Sequence, residues 1–220
     1  LIVWKKNPSN PLMDSKTHLA PPYTARCWCD PEVWKEGSKW HMLLGCSLEG
    51  VGAYSLYSSS DLKHWDYESC FWKTHEFDFL DYPHFFRLDG KEVLMWDNGG
   101  TVTNFEVGRV ENGVFHSQRR TPYDPGLSCA GKSLVDDRGR RIMMSYVLED
   151  RFESADTSPE SIETGWAGLM SLPRLLHVDE DGAVRQEPVP ELKGLRGAHV
   201  EVPGFEVPPG DRLLDGIQGD

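Results

Sequence analysis

The stretch Cys29-Asp-Pro-Glu-Val-Trp-Lys-Glu-Gly-Ser-Lys-Trp-His-Met-Leu-Leu-Gly45 decides the fold. An Asp-Pro pair opens a short apolar run, a polar turn holding Gly37 interrupts it, and a second run follows from Trp40 to Leu44. Two runs of aromatic and branched residues around a short Gly-containing loop are the signature of a β-hairpin. Pro31 has no N–H for a ladder, so the reading places it at the start of the first strand, with Asp30 where that strand emerges.

The pattern returns twice. Asp81-Tyr82-Pro83 opens His84-Phe85-Phe86, then a turn at Asp89-Gly90, then Val93-Leu94-Met95-Trp96. Ala130-Gly131-Lys132 opens Ser133-Leu134-Val135, then a turn at Gly139, then Ile142 to Tyr146. A period of roughly fifty residues with several strands per unit is how propeller blades appear in a sequence, each blade being a four-stranded sheet around a central channel. No segment keeps a helical apolar period over several turns, which sets aside a helical solenoid. A β-sandwich is the rival architecture.

Eight Trp, nine Phe and seven Tyr suffice for a packed core. A net charge of −12 argues against nucleic acid or an anionic membrane as partner and suits a neutral ligand. No apolar run approaches the roughly twenty residues of a membrane-spanning helix. Cys27, Cys29, Cys46, Cys70 and Cys129 are odd in number and scattered. They read as free thiols without a zinc pattern, leaning toward a reducing compartment. Compartment and oligomeric state stay open.

In chain order, Leu1 to Trp4 reads as a strand and Lys5 to Tyr23, with four prolines, as an extended loop. Ala53 to Ser58 is a third strand, and a fourth closes the first blade by Tyr67. Glu68 to Leu80, aromatic and acidic, reads as a loop. Thr103 to Val110 and Val114-Phe115 complete the second unit. Glu149 to Thr164 is a mobile acidic excursion. Trp166 to Val178 is strand interrupted by Pro173. Residues 1–190 form a partial catalytic propeller, and 191–220 are a linker and the start of a β-sandwich. The chain reads as an internal fragment.

Asp30 and Asp81 occupy the same place in successive units, and Asp124 lies a few residues before that place in the third. Three carboxylates on inner strands would converge on one pocket. Paired carboxylates flanking a sugar are the equipment of glycoside hydrolysis, and close carboxyl groups push one another's protonation apart. Asp before Pro is also an ordinary turn residue that bonds its own backbone. The nearby Trp and Phe residues could stack on a sugar, though core packing accounts for them more simply.

Together the segments resemble glycoside hydrolase family 32, the invertases, levanases, inulinases and related β-fructofuranosidases, from about Asn7 to Gly197. Asp30-Pro31-x-Val33-Trp34 with Tyr57-Ser58-x-Ser60-Asp61-Leu62-x-x-Trp65 is similar to the family's Arg-Asp-Pro region. Asp81-Tyr82-Pro83-x-Phe85-Phe86 is similar to its Glu-Cys-Pro segment. Tyr123-Asp124-x-Gly126, Ala130-x-Lys132 and Gly165-Trp166-Ala167-Gly168 through Arg174 match later signatures in order.

The resemblance implies a five-bladed β-propeller, here incomplete with its first blade largely missing, followed by a β-sandwich. It implies a retaining mechanism on terminal fructofuranosyl units of sucrose or fructans, with no metal and no cofactor. It puts Asp81 at the acid/base position, Asp30 at that of transition-state stabiliser, and Asp124 at a substrate-binding position. Departures accompany it. Nothing matches the family's nucleophile motif, so the chain alone is expected to be inactive. Asp81 stands for a Glu, which shortens its reach by about 1.5 Å. Cys29 stands for Arg, Tyr82 for Cys, and Leu127 and Cys129 for polar or aromatic residues. Two alternatives remain: a propeller that binds fructosides without cleaving them, and a furanosidase of the related arabinan- and xylan-active five-bladed family.

Overall fold

The computed structural model describes residues 3–14, 16, 18, 23–98, 103–124, 128–147 and 168–198, with the backbone alone for 23–27. Three antiparallel sheets follow one another along the chain. The first holds β1 (Tyr23–Glu36), β2 (Lys39–Leu48), β3 (Val51–Ser59) and β4 (Asp66–Thr74) in that order. The second holds β5 (Asp81–Leu88), β6 (Lys91–Asp97), β7 (Thr103–Glu111) and β8 (Val114–Pro122) in the same way. In the third, β9 (Ser128–Val135) pairs with β10 (Arg141–Val147). The next position is shared by β11 (Leu169–Met170) and β12 (Arg174–Val178), and β13 (Val184–Pro188) lies outermost. These are three consecutive blades of a β-propeller. The expected turns at Gly37, Gly90 and Gly139 all form, each with positive φ, a conformation glycine adopts without steric cost.

The core lies between blades. Along β6, alternate side chains serve different neighbours, as the two-residue period of a strand requires. Val93 and Met95 join Phe86, Phe105, Met143 and Leu176 against the third blade. Leu94 and Trp96 join Leu43, Tyr54, Phe71 and Trp72 against the first. Burying each such chain contributes about 1.5–3 kcal/mol. Trp72 and Trp96 meet at 5.5 Å between ring centroids and Trp34 and Phe85 at 5.4 Å, so these aromatics are packing residues.

Three expectations need correction. The stretch from Glu68, read as a loop, is in its first part β4; as the outer strand of its blade it carries exposed polar residues, which disguise it. Val3 and Trp4 are irregular and exposed, with no strand partner among the described residues. Pro31 does not start a strand but lies well inside β1, where a bulge removes the need for its N–H. Beyond β13, Pro190–Leu195 forms a short 3-10 helix whose Glu191 pairs with Arg138 and Arg140. Residues 199–220, read as the start of a sandwich, and the acidic stretch 149–164 lie outside the described residues. Among the described residues no helix is long and apolar enough to cross a membrane.

Candidate active site

Each inner strand carries a bulge, and each bulge holds one residue in the left-handed region: Asp30 (φ 50°), Tyr82 (φ 44°) and Ala130 (φ 50°). Such a conformation is uncommon outside glycine, and strained backbone of this kind clusters at functional sites. The following residues are Pro31, Pro83 and Gly131. This frame corrects the alignment of repeats by one residue. The backbone equivalent of Asp30 is Tyr82, and that of Asp81 is Cys29; cross-strand pairing agrees, with Cys29 opposite Gly45, Asp81 opposite Asp97 and Cys129 opposite Tyr146.

Asp30 and Asp81 nonetheless meet. Ligating atoms of Cys29, Asp30 and Asp81 all lie within 4.8 Å of one another. Asp81 is half-buried. Desolvation and then the neighbouring Asp30 carboxyl raise its pKa to about 6, against smaller opposing effects from Cys29 and the Tyr82 N–H. The Cys29 thiol lies 3.0 Å from Asp81 Oδ1. Burial and both carboxylates push that thiol far above its usual range. The three ligand atoms are near enough to one another to hold a cation.

Neighbouring elements hold Asp81 in place. The fully buried Tyr54 hydroxyl donates to the Asp81 carbonyl at 2.6 Å and accepts from the Asp97 N–H at 3.3 Å. Gly45 lies against the same backbone: a Cβ there would overlap the Leu80 carbonyl oxygen and stand 3.2 Å from Asp81 Cα. Asp97 is fully buried, and its Oδ2 accepts from the Thr103 hydroxyl at 2.7 Å. Asp124 is not part of the Asp30–Asp81 cluster. It pairs with Arg174 at 2.7 Å, and that guanidinium sits over the Tyr123 ring.

One residue past each bulge the strands meet again. Glu32, His84 and Lys132 follow Pro31, Pro83 and Gly131. Glu32 accepts from His84 Nδ1 at 2.8 Å and from Lys132 Nζ at 2.8 Å. The Ser133 N–H donates to His84 Nε2 at 2.9 Å, which places the imidazole proton on Nδ1. Lys132 also reaches the Pro83 carbonyl at 2.6 Å. Sequence reasoning missed this network and marked Cys29 only as a departure from Arg, not as a partner of Asp81. The signal was there: the three positions share one offset from the Pro, Pro and Gly of the repeat.

Fold and site together define a β-propeller with two adjacent carboxyl groups on its inner strands, an arrangement suited to glycoside chemistry. The sequence profile of the glycosyl hydrolases family 32 N-terminal domain matches residues 2–188, and the chain belongs to that family. It is 32% identical over 197 residues to a sucrose-6-phosphate hydrolase of Vibrio alginolyticus, covering 78% of this chain and 38% of that protein. Its structure resembles the fructan 1-exohydrolase IIa of Cichorium intybus, with a TM-score of 0.75, 26% identity and coverage of 89% and 40% of the two chains. The fold also matches a Bombyx mori β-fructofuranosidase, with a TM-score of 0.75, 21% identity and coverage of 90% and 44%. The chain thus spans about two fifths of the length of these relatives.

Proposed function

We propose that the protein hydrolyses β-fructofuranosidic bonds in sucrose or a fructan, with retention, and that Asp81 is the acid/base. The observation that carries this reading is the Asp81 carboxyl, half-buried, within 4.8 Å of the Asp30 carboxyl and raised to a pKa of about 6. A carboxyl group poised there gives its proton to the leaving glycosidic oxygen and, once ionised, accepts one from water. Asp30 stays beside it as an acceptor for fructosyl hydroxyls and a counter-charge to the oxocarbenium-like transition state. It does not serve as nucleophile opposite Asp81. Retaining pairs face each other across the sugar, about 5–5.5 Å apart, whereas these two stand side by side, with ligand atoms within 4.8 Å of one another. In this reading the attacking carboxylate is none of Asp30, Asp81 and Asp124. Asp124, held by Arg174, contacts substrate hydroxyls.

The Vibrio alginolyticus relative is a sucrose-6-phosphate hydrolase and the Cichorium intybus relative a fructan 1-exohydrolase, which supports a fructoside substrate. The test is fructose release from sucrose, inulin and levan by the full-length protein and its Asp81→Asn variant. Loss of about a hundredfold or more in kcat, the scale of general acid catalysis, supports the assignment. Equal rates remove Asp81 from the mechanism, and fructan binding without turnover by the native protein makes it a binding propeller instead.

A further inference from the structure

Resting on the acid/base reading of Asp81, we propose that Cys29 is a positioning residue: its S–H holds Asp81 Oδ1, so that Oδ2 carries the proton that is delivered. The geometry comes from the first two blades. Cys29 and Asp81 are backbone equivalents on β1 and β5, brought side by side because Gly45, opposite Cys29, lets the Leu80–Asp81 backbone approach. Oδ1 is bound twice, by the Cys29 thiol at 3.0 Å and by the Tyr82 N–H at 3.2 Å. A carboxyl group with one oxygen so occupied bears its proton on the other. The thiol stays a donor throughout, since burial and two neighbouring carboxylates oppose its ionisation. A sulfhydryl is a weak, uncharged donor. It orients the carboxyl without the permanent positive charge that would hold it ionised and disable it as an acid.

The test compares Cys29→Ala and Cys29→Ser in the full-length protein by carbon-13 titration of the Asp81 carboxyl, assigned with Asp81→Asn, and by the pH profile of kcat/KM. Losing a donor to a carboxylate raises the midpoint of Asp81 by about one pH unit. The alkaline limb of kcat/KM moves up with it, and the plateau falls about tenfold from lost orientation. Serine, with a hydroxyl in place of the thiol, restores both. A midpoint and a profile unchanged in Cys29→Ala overturn the proposal. If the alanine variant does not fold, the native S–H infrared band, assigned by its loss in Cys29→Ser, must shift with the midpoint of Asp81; a band indifferent to pH also overturns it. Full activity of Asp81→Asn with the titration behaving as stated would instead sink the acid/base reading and leave the contact intact.

Discussion

Lys132 Nζ, on the inner strand of the third blade, lies 2.8 Å from Glu32 Oε2, on the inner strand of the first, one hundred residues earlier in the chain. With His84 on the second blade bound to the other Glu32 oxygen, one carboxylate joins all three sheets. The carboxyl pair of Asp30 and Asp81 lies within three residues of this junction, so its separation depends on the junction holding.

Glu32→Gln removes the charge partner of Lys132 and the carboxylate that accepts from His84 Nδ1–H. Its side chain is 18% exposed, between the surface and buried limits, so the expected loss is about 2 kcal/mol. For a chain of this size that lowers Tm by about 4–8 °C. Differential scanning calorimetry checks it; a Tm unchanged from native would show that the junction carries no stability.

Stability falls on acidification below neutrality, and His84 sets the upper part of that window. Burial holds its pKa below the ordinary histidine value despite Glu32. The unfolded chain therefore takes up the proton first, and stability present above the unfolded pKa is lost as pH drops through it. The Glu32 carboxyl, held below its usual range by His84 and Lys132, adds a loss of the same sign at lower pH. Denaturant midpoints from pH 8 to about 2 should fall in two stages, and His84→Gln should abolish the first and shrink the second, leaving the part that Lys132 supplies.

Activity should show an alkaline limb near pH 6. A general acid works only while protonated, and Asp81 loses its proton around that value. kcat/KM measured from pH 4 to 9 should therefore decline above about 6 by a factor of ten per pH unit. A profile flat to pH 9 would show that Asp81 does not donate the proton in the rate-limiting step.

Gly45→Ala should damage both fold and site. The added methyl meets backbone, not a mobile side-chain tip, so β2 and the Leu80–Asp81 segment must part. Overpacking of this kind costs about 1–3 kcal/mol. A thermal melt reads the stability, and the Asp81 carboxyl resonance should move as well. Restoration of neither by substitutions elsewhere in β2 would be consistent with a local cause; a native melt would refute the contact.

Tyr54→Phe removes one hydroxyl that serves two buried backbone groups, the Asp81 carbonyl and the Asp97 N–H. Leaving both unpaired costs about 1–3 kcal/mol. Chemical denaturation measures it, and hydrogen exchange at the Asp97 amide should quicken.

The three hairpins were legible because their turns need glycine at positions 37, 90 and 139 and their flanking runs alternate. The meeting of Asp30 and Asp81 was legible too, since any radial stack brings its inner strands together. Their equivalence was misjudged by one residue. Chemistry invites matching Asp with Asp, whereas the bulge matches Asp30 with Tyr82, and a bulge is a count of hydrogen bonds that letters do not display. The fourth strand of the first blade was legible at its start but was ended at Tyr67 instead of Thr74, because its exposed polar residues read like a loop. The Cys29–Asp81 contact and the Glu32–His84–Lys132 junction escaped for a different reason: each residue finds its partner in another blade, 52 to 100 residues away.

The alternation along β6 has a bearing on how this chain can change over time. Val93 and Met95 face one neighbour and Leu94 and Trp96 the other. Losing a single residue within the strand would send each side chain to the wrong blade and undo two interfaces at once. The tips at Gly37, Gly90 and Gly139 have open space around them, and there the chain can gain length with no such penalty. Insertions and deletions in descendants of this sequence should therefore gather at those tips and spare the strand between them.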